Sequence, residues 1–214
     1  MLFLWVRLFN LFDWLRNIFF YYLLNPKFAL VDTNLLLSYF FKSPYSIARN
    51  AYPESGPYGE TPFREMDTIL KLTYLKASSK VLDIGCGRGR LAFWLQMVKG
   101  FDVTGMDINS LFIKRAQKIA HRWNVPATFK EQSCFEIKDF SFDLIYFFIL
   151  HLSDDELHHF GKRMIRSQTK AYIVTVSFWF GEYLPEQFEL VATCNLRFVW
   201  GETVGYIQRL KTVK

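Results

Sequence analysis

Hydrophobic positions divide the chain into an apolar front and a longer part in which strand-like and helix-like runs alternate. The strand-like runs are short and almost continuously apolar, which predicts strands buried on both faces of a sheet. The segments between them have apolar residues at every third or fourth position, as in amphipathic helices. Such an alternation predicts a mainly parallel sheet covered by helices on both faces. The predicted strands are 80–85, 102–107, 127–130, 142–148, 171–178, 188–198 and 203–210, and the predicted helices are 61–75, 91–98, 110–123 and 154–168.

The last two predicted strands follow each other around Trp200-Gly201-Glu202 without an intervening helix, which predicts an antiparallel pair at one edge of the sheet. Two other connections, 132–141 and 179–187, are too short or too interrupted for a full helix. The predicted fold class is therefore α/β, mostly parallel, with an antiparallel C-terminal strand pair.

The front of the chain is unusually apolar, with 18 apolar residues among the 23 residues of 2–24. As a helix this segment would measure about 34 Å at ~1.5 Å per residue, enough to cross a bilayer. Arg7, Asp13 and Arg16 lie within it, however, and about 2.5–3.5 kcal/mol for each central charge offsets the gain from the apolar side chains. The polar residues fall mostly on one half of a helical wheel, which favours a helix lying in the membrane surface.

A second apolar run, 28–41, is too short to predict a membrane span. Two interpretations of residues 1–41 stay open: an apolar helical segment associated with a membrane, or helices that form core or oligomer contacts of a soluble protein. Residues 42–62 contain four prolines and two glycines, so we expect a linker or loop over 42–57 and a separate domain over 58–214.

The net charge is +6, and residues 1–50 contribute half of it. An apolar and basic N-terminal segment is compatible with contact with an anionic membrane. Because no dense stripe of lysines and arginines is present, binding of nucleic acid is not expected. The three cysteines are scattered, which predicts neither a disulfide framework nor a metal site and favours a reducing compartment.

A glycine-rich loop joins the first predicted strand to the next helix. Gly85, Gly87 and Gly89 follow this strand, and Asp83 precedes the first glycine by two residues. Ligands of open α/β sheets bind at the carboxyl ends of the strands, where glycine lets the backbone approach them closely. The GxGxG spacing differs from the GxGxxG of dinucleotide-binding loops. Asp107 ends the second strand, where a carboxylate can accept hydrogen bonds from ribose hydroxyls. Because dinucleotides and other ribose-containing cofactors both use such an acid, Asp107 does not distinguish between them.

The segments DIGCGRG (83–89) and TGMDIN (104–109) resemble the first and second motifs of class I S-adenosylmethionine-dependent methyltransferases. The resemblance covers roughly residues 58–210 and implies a seven-stranded Rossmann-like sheet, with S-adenosyl-L-methionine bound across the ends of the first two strands. It also implies an acidic residue near the adenine after the third strand, where this chain has Ser133, or Gln132 or Glu131 if the alignment slips by one residue. The cofactor-binding residues implied in this way are Asp83, Gly85, Cys86, Gly87, Gly89, Asp107, Ile108, Gln132 and Ser133.

A second local resemblance precedes the first strand. The segment YGET, with Tyr58, Glu60 and Thr61, resembles the cofactor-binding loop of the non-SET histone lysine methyltransferases. It is also loosely similar to a stretch of the membrane-anchored mitochondrial lysine methyltransferases. The resemblance implies that these three residues cap the methionine end of the cofactor. The same residues are also explained as a helix start, with Thr61 as the N-cap and Pro62 in the first helical position.

The residues after the fourth strand indicate which methyl acceptors are compatible. Methyltransferases of base amino groups carry Asp–Pro–Pro–Tyr or Asn–Pro–Pro–Tyr there, whereas this chain has Phe147, Phe148 and, shortly afterwards, His151. We expect these three residues to position the acceptor, since an apolar aromatic channel favours the neutral, nucleophilic form of a lysine amine. The same channel is expected to include Phe178, Trp179 and Phe180.

The predicted function is a methyltransferase that modifies a protein lysine near a membrane. The alternative acceptor is a lipid, a quinone or another small apolar molecule, and the alternative of another class is a non-catalytic, cofactor-binding scaffold. Because the domain must reach S-adenosylmethionine, we expect it on the cytoplasmic or organelle-interior side of the membrane, with a cytoplasmic protein as the alternative.

Overall fold

A computed structural model of the 214-residue chain describes residues 2–51, 58–149 and 151–211, without the side chains of residues 2–7, 10 and 51. The described residues form one seven-stranded sheet. Its strands are β1 (Lys80–Ile84), β2 (Asp102–Asp107), β3 (Thr128–Glu131), β4 (Leu144–Phe147), β5 (Tyr172–Val176), β6 (Phe188–Phe198) and β7 (Gly201–Leu210).

The order of the strands is β3-β2-β1-β4-β5-β7-β6. The first five pair in parallel, whereas β7 runs antiparallel to both β5 and β6. The predicted fold class, including the closing antiparallel pair, is therefore confirmed. The strand order reverses between β1 and β4, and in doubly wound sheets such a reversal opens a crevice at the carboxyl ends of the strands.

The helices lie on both faces of this sheet. Asn109 caps the helix Ser110–Arg122 by accepting hydrogen bonds from the backbone of Leu111 and Phe112. Ser153 and Glu156 form a capping box at the start of the helix Asp154–Ser167. The two connections expected to be reduced each contain a 3₁₀ turn, Cys134–Glu136 and Phe180–Glu182. The helices are α1 (Leu2–Asn17), α2 (Pro26–Leu37), α3 (Pro44–Ala51), α4 (Phe63–Leu70), α5 (Arg90–Met97), α6 (Ser110–Arg122) and α7 (Asp154–Ser167), and a π-helical turn, Ile18–Tyr22, follows α1.

The N-terminal helices are part of the domain core. Phe28, Val31 and Leu35 of α2 are buried in the same cluster as Val81 of β1, on the face of the sheet that α5 and α6 also cover. The other face packs against α7. The predicted helix over residues 2–24 ends as an α-helix at Asn17, and Pro26 begins α2 at a position where its missing N–H costs nothing.

The segment predicted as a linker contains the helix α3, so the interpretation of residues 42–57 as a loop is wrong for its first half. Residues 52–57 lie outside the described residues. Among the helices of the described chain, none has the length and apolar character needed to cross a membrane.

Candidate functional site

A cavity of about 330 Å³ opens at the carboxyl ends of β1, β2 and β4. A smaller recess of about 20 Å³ adjoins it and shares Tyr58, Gly85 and Phe148 as lining residues. The size of the main cavity fits a small-molecule site. The predicted residues in the main cavity are Tyr58, Gly85, Asp107, Ile108, Gln132, Ser133, Phe148 and His151, and the recess adds Glu60, Thr61, Asp83, Cys86 and Gly87.

The glycines of the loop share a backbone conformation but lie against different neighbours. All have positive φ, at 78° for Gly85, 54° for Gly87 and 82° for Gly89, a region in which residues with a Cβ are strained. A Cβ on Gly87 would lie 2.6 Å from the hydroxyl oxygen of Tyr58, beside the recess. A Cβ on Gly89 would instead lie 2.5 Å from the ring of Phe129. Gly89 lines neither cavity, and the space beside it lets the start of α5 pack closely against the sheet, so its contact with the cofactor stays a prediction.

Asp107 ties the glycine loop to the end of β2. Its Oδ2 accepts a hydrogen bond from the backbone N–H of Gly87 at 2.8 Å, and its Oδ1 accepts one from the N–H of Asn109 at 2.8 Å. Burial raises the pKa of this carboxyl group, and the two N–H donors partly oppose that rise. The carboxylate lies in the wall of the main cavity, where its remaining lone pairs can accept hydroxyl donors.

Asp83 has a buried carboxylate oxygen without a hydrogen-bond partner among the described residues. Its side chain is 2% exposed, and the unpartnered oxygen is Oδ2. Burial, together with the charge of Asp107, raises the pKa of Asp83 to about 7. An unpartnered buried carboxylate is costly, so a ligand that brings an N–H donor or a positive charge into the recess would be stabilised.

Glu60 holds the loop from the opposite side. Tyr58 donates its hydroxyl to Oε1 of Glu60 at 2.8 Å, and the guanidinium of Arg88 binds both oxygens, with Nη2 at 2.7 Å from Oε2. Burial alone would raise the pKa of Glu60, but the charge and hydrogen bonds of Arg88 outweigh it and lower the pKa. The Glu60 carboxylate therefore fixes Tyr58 beside Gly87. The sequence interpretation did not single out Arg88, which stands between Gly87 and Gly89 in the loop.

Thr61 does not cap the following helix. Pro62 occupies the N-cap of α4, one residue later than expected, and the Thr61 hydroxyl instead hydrogen-bonds to the hydroxyl of Tyr146 at 2.6 Å. This bond joins the segment before α4 to β4 beneath the recess. The prediction of Thr61 as an N-cap is therefore wrong, while its place at the site agrees with the second resemblance.

The far end of the main cavity lies between β3 and α6. Ser133 caps the 3₁₀ turn through the N–H of Phe135, and Gln132 donates from Nε2 to the backbone oxygen of Glu136 at 2.9 Å. Phe112 and Phe135 add aromatic walls that the sequence interpretation did not name. Their signal was present as aromatic residues four or five positions after the ends of the second and third strands.

The expected acceptor channel is largely corrected by the structure. Phe147 is completely buried and packs against Phe160 and Phe180, with Phe178 edge-on to its ring. Successive residues of a strand point to opposite faces, so Phe147 belongs to the core on the α7 side. Phe178 and Phe180 pack in the same cluster, and the ring of Trp179 lies against Gly181. None of these four residues lines the cavity.

Phe148 alone of the expected phenylalanines reaches the cavity, and it belongs to a stack of three aromatic rings. Its ring lies 5.2 Å from that of Phe198 and 6.0 Å from that of Trp200, and the last two are stacked at 4.5 Å. The Trp200 ring lies directly over Gly59, where a Cβ would clash with it. Trp200 comes from the β6–β7 turn, so the sequence interpretation did not connect it with the site. His151 is exposed and lines the same cavity.

Part of the sequence is similar to known methyltransferases. Residues 81–170 match a protein family described as "Methyltransferase domain". The chain is 29% identical over 114 residues, or 51% of its length, to 27-O-demethylrifamycin SV methyltransferase of Amycolatopsis mediterranei (strain S699). This chain spans only 40% of the length of that relative.

Solved structures share the fold at low sequence identity. An RNA methyltransferase from Salinibacter ruber in complex with S-adenosyl-L-homocysteine has a TM-score of 0.57 at 19% identity, covering 72% of this chain and 96% of its own. The N-methyltransferase NodS from Bradyrhizobium japonicum WM9, also in complex with S-adenosyl-L-homocysteine, has a TM-score of 0.56 at 19% identity, covering 72% of this chain and 90% of its own. At such identities the likeness establishes the fold.

Proposed function

We propose that the chain is an S-adenosylmethionine-dependent methyltransferase that methylates an apolar acceptor drawn from a membrane, because residues 81–170 match a family described as "Methyltransferase domain". The predicted Rossmann-like fold is confirmed by the likeness to solved structures, and the family match supports a methyltransferase that uses S-adenosylmethionine. The acceptor and the membrane location are the further parts of the proposal.

The residues at the site fit S-adenosylmethionine. The unpartnered Asp83 carboxylate and the adjoining loop of Gly85 and Gly87 would hold the amino-acid portion of the cofactor. Asp107 would accept hydrogen bonds from the ribose hydroxyls, and Phe112 and Phe135, beside Ser133, would enclose the adenine. The orphaned oxygen of Asp83 is the observation that carries this assignment, because the cofactor brings an ammonium group.

When bound, S-adenosylmethionine supplies its methyl group to a lone pair of the acceptor, and the electron pair of the broken carbon–sulfur bond stays on sulfur. The chain contributes position and a dry environment. Phe148 and Tyr58 give the cavity aromatic lining, and Trp200 stacks on Phe148 and lies over Gly59 at its border. His151, exposed at the cavity, takes the proton that the acceptor loses.

An acceptor that is a lipid or another small apolar molecule agrees best with these surroundings. Phe148 presents an aromatic side chain to the cavity, supported from behind by its stack with Phe198 and Trp200, whereas the carboxylate of Glu60 is bound by Arg88 and is not free to bind an amine. The curated relative is named for the acceptor 27-O-demethylrifamycin SV and not for a protein. A protein lysine is the second candidate, favoured by the place of Tyr58 and Thr61 at the edge of the recess.

Transfer of a radioactive methyl group separates these acceptors. Purified protein and labelled S-adenosylmethionine are added to membrane and soluble fractions, which are then divided into organic extract and protein. We expect label in the organic extract of membranes and none with Asp107→Ala. Label in protein would favour the lysine acceptor, and binding of S-adenosylmethionine without any transfer would support the non-catalytic scaffold instead.

A further inference from the structure

The helix α1 turns polar side chains toward the domain and apolar side chains away from it, and α2 buries the charged residue Asp32 beside its apolar core residues. Asp13, Asn17 and Asp32 are buried, with Asn17 at 0% and Asp32 at 1% exposed. Leu11, Leu15, Phe19 and Leu23 are exposed at intervals of four residues, and their neighbours Phe12 and Leu24 are exposed as well. This is the reverse of a surface helix in water, whose apolar stripe faces the core.

Buried arginine chemistry explains why the polar side faces inward. Arg90, at the start of α5, binds Asp32 with Nε at 2.9 Å from Oδ1 and Nη2 at 3.0 Å from Oδ2. Its Nη1 lies 3.8 Å from Oδ2 of Asp13, which Asn17 also contacts at 3.0 Å. Because these groups hold one side of α1 and α2 against the domain, the opposite side must face outward.

The exposed side continues along α2 and the turn after it. Leu30, Leu37, Phe40 and Phe41 are exposed, and Phe41 is 97% exposed. Among the residues whose side chains are described, fourteen of the twenty-one exposed large hydrophobic residues lie between Leu8 and Phe41. We call these fourteen residues the outer apolar face.

The outer apolar face is larger than a solvated surface normally tolerates. Its five phenylalanines alone expose roughly 700 Å², at about 200 Å² for a whole aromatic side chain. The largest apolar patch on an ordinary monomer measures about 300–600 Å² in total. Exposed apolar area of this size is typical of a site that binds a protein partner or a membrane.

The charges around the outer apolar face select the partner. Between residues 8 and 50, within the described side chains, the exposed charged residues are Lys27, Lys42 and Arg49, all basic. Lys27 and Lys42 flank the two ends of the exposed stripe of α2. Both acidic residues of this segment, Asp13 and Asp32, are buried in ion pairs and present no negative charge outward. Within residues 8–50, exposed apolar side chains are therefore accompanied by exposed lysine and arginine and by no exposed acidic residue, a composition that complements an anionic lipid surface.

We propose that the outer apolar face docks the protein in the plane of an anionic lipid bilayer, with α1 and α2 lying in the headgroup region. The proposal deepens the proposed function by naming the surface that delivers the acceptor, and it rests on that function only in this respect. Lipid docking itself is measured without any methyl transfer.

Flotation of the full chain with vesicles tests the proposal. We expect the protein to float with vesicles of phosphatidylcholine containing about one third phosphatidylglycerol, and poorly with phosphatidylcholine alone or at high salt. Phe19→Ser with Leu23→Ser should weaken binding by about tenfold or more, because two large apolar groups no longer enter the lipid. The matched control is Leu190→Ser with Val191→Ser on the edge strand β6, where exposed apolar residues lie outside the face.

A charge-reversal pair tests the electrostatic part. Lys27→Glu with Lys42→Glu should weaken binding to anionic vesicles by about tenfold or more and leave binding to neutral vesicles nearly unchanged. Lys162→Glu with Lys170→Glu is the control, since these exposed lysines lie on and after α7, which packs on the other face of the sheet.

The outcomes are distinguishable. Wild-type protein that stays unbound to anionic vesicles, or a Phe19/Leu23 variant that floats as well as wild type, would overturn the proposal. So would a dimer, seen by light scattering without lipid, that the same variant converts to monomers. Calorimetry with S-adenosylmethionine checks that each variant is folded. A wild-type protein that floats but does not bind S-adenosylmethionine would contradict the proposed function and leave the docking surface standing.

Discussion

Arg90 offers the sharpest test of how the N-terminal helices are held. It follows the last glycine of the loop directly, and its guanidinium contacts Asp32, Asp13 and the ring of Phe63, the last at 4.4 Å. Arg90→Met keeps a long apolar stem and removes the charge. The substitution leaves Asp32, at 1% exposed, without a cation among the described residues, and Tyr22 then remains as its hydroxyl donor.

The expected cost follows from the burial of the carboxylate. Breaking a buried ion pair by removing one partner costs about 3–5 kcal/mol, because the other charge is left uncompensated. Asp13 keeps Arg16 and Asn17 as partners, so most of the loss comes from Asp32 and we expect about 3 kcal/mol. A domain of this size loses roughly 2–4 °C of Tm per kcal/mol, so Tm should fall by about 6–12 °C.

Urea unfolding at pH 7, followed by tryptophan fluorescence, measures this loss. The matched control is Arg197→Met, which breaks the Arg197–Glu202 pair at 3.8 Å, where the side chains are 66% and 72% exposed. We expect that control to cost less than about 1 kcal/mol. Adding Asp32→Asn to Arg90→Met should recover part of the stability, since the buried charge is then gone. If Arg90→Met costs no more than the control, the buried pair does not hold these helices as argued.

Three further predictions concern the site. Gly87→Ala should weaken S-adenosylmethionine binding by tenfold or more in calorimetry, because the residue has φ of 54° and its Cβ would lie 2.6 Å from the Tyr58 hydroxyl oxygen; unchanged affinity would contradict the close approach. Trp200→Ala should raise the KM for the acceptor and leave S-adenosylmethionine affinity unchanged, whereas parallel losses of both would place Trp200 in the cofactor site. The pKa of Asp83 is about 7 in the folded protein and about 3.9 in an unfolded chain, so the folded state binds the extra proton. As the pH rises from 5 to 7, the free energy of unfolding of the ligand-free protein should therefore fall by up to about 1.4 kcal/mol per pH unit. Asp83→Asn should abolish this contribution to the slope in urea unfolding.

The sheet and the loop were predictable because both depend on local patterns. Continuous apolar runs such as β4 identify strands that are covered on both sides, and all four residues of β4 are buried. The glycine spacing after β1 predicted a ligand loop, and Gly85 and Gly87 do line the cavities. Asp107 follows from its position at the end of a neighbouring parallel strand, which brings it to the same edge of the sheet.

The acceptor side was predicted poorly because it depends on strand parity and on distant pairing. Phe147 and Phe148 are neighbours in an apolar run, and a doubly covered strand has no polar alternation to tell its two faces apart. Phe147 consequently belongs to the core and Phe148 to the cavity. Trp200 reaches Gly59 only because the β6–β7 hairpin folds back over the start of the domain, a contact across about 140 residues that local patterns do not encode. Arg88 pairs with Glu60 for the same long-range reason.

The orientation of the N-terminal helices decides how their role can be tested. A helical wheel separates the polar side of residues 2–24 from the apolar side, but in isolation it assigns the polar side to water. In the fold, Arg90 binds Asp32 from that side, and Phe28 and Val31 fill the core beside α5. Deleting residues 1–41 would therefore uncover the core and leave Arg90 unpaired at the start of α5, directly after the cofactor loop. We expect the truncated chain to lose S-adenosylmethionine affinity together with vesicle binding, so truncation confounds docking with folding. Substitutions on the outer apolar face separate the two, because Phe19 and Leu23 are exposed and their loss leaves Asp32, Arg90 and the core in place.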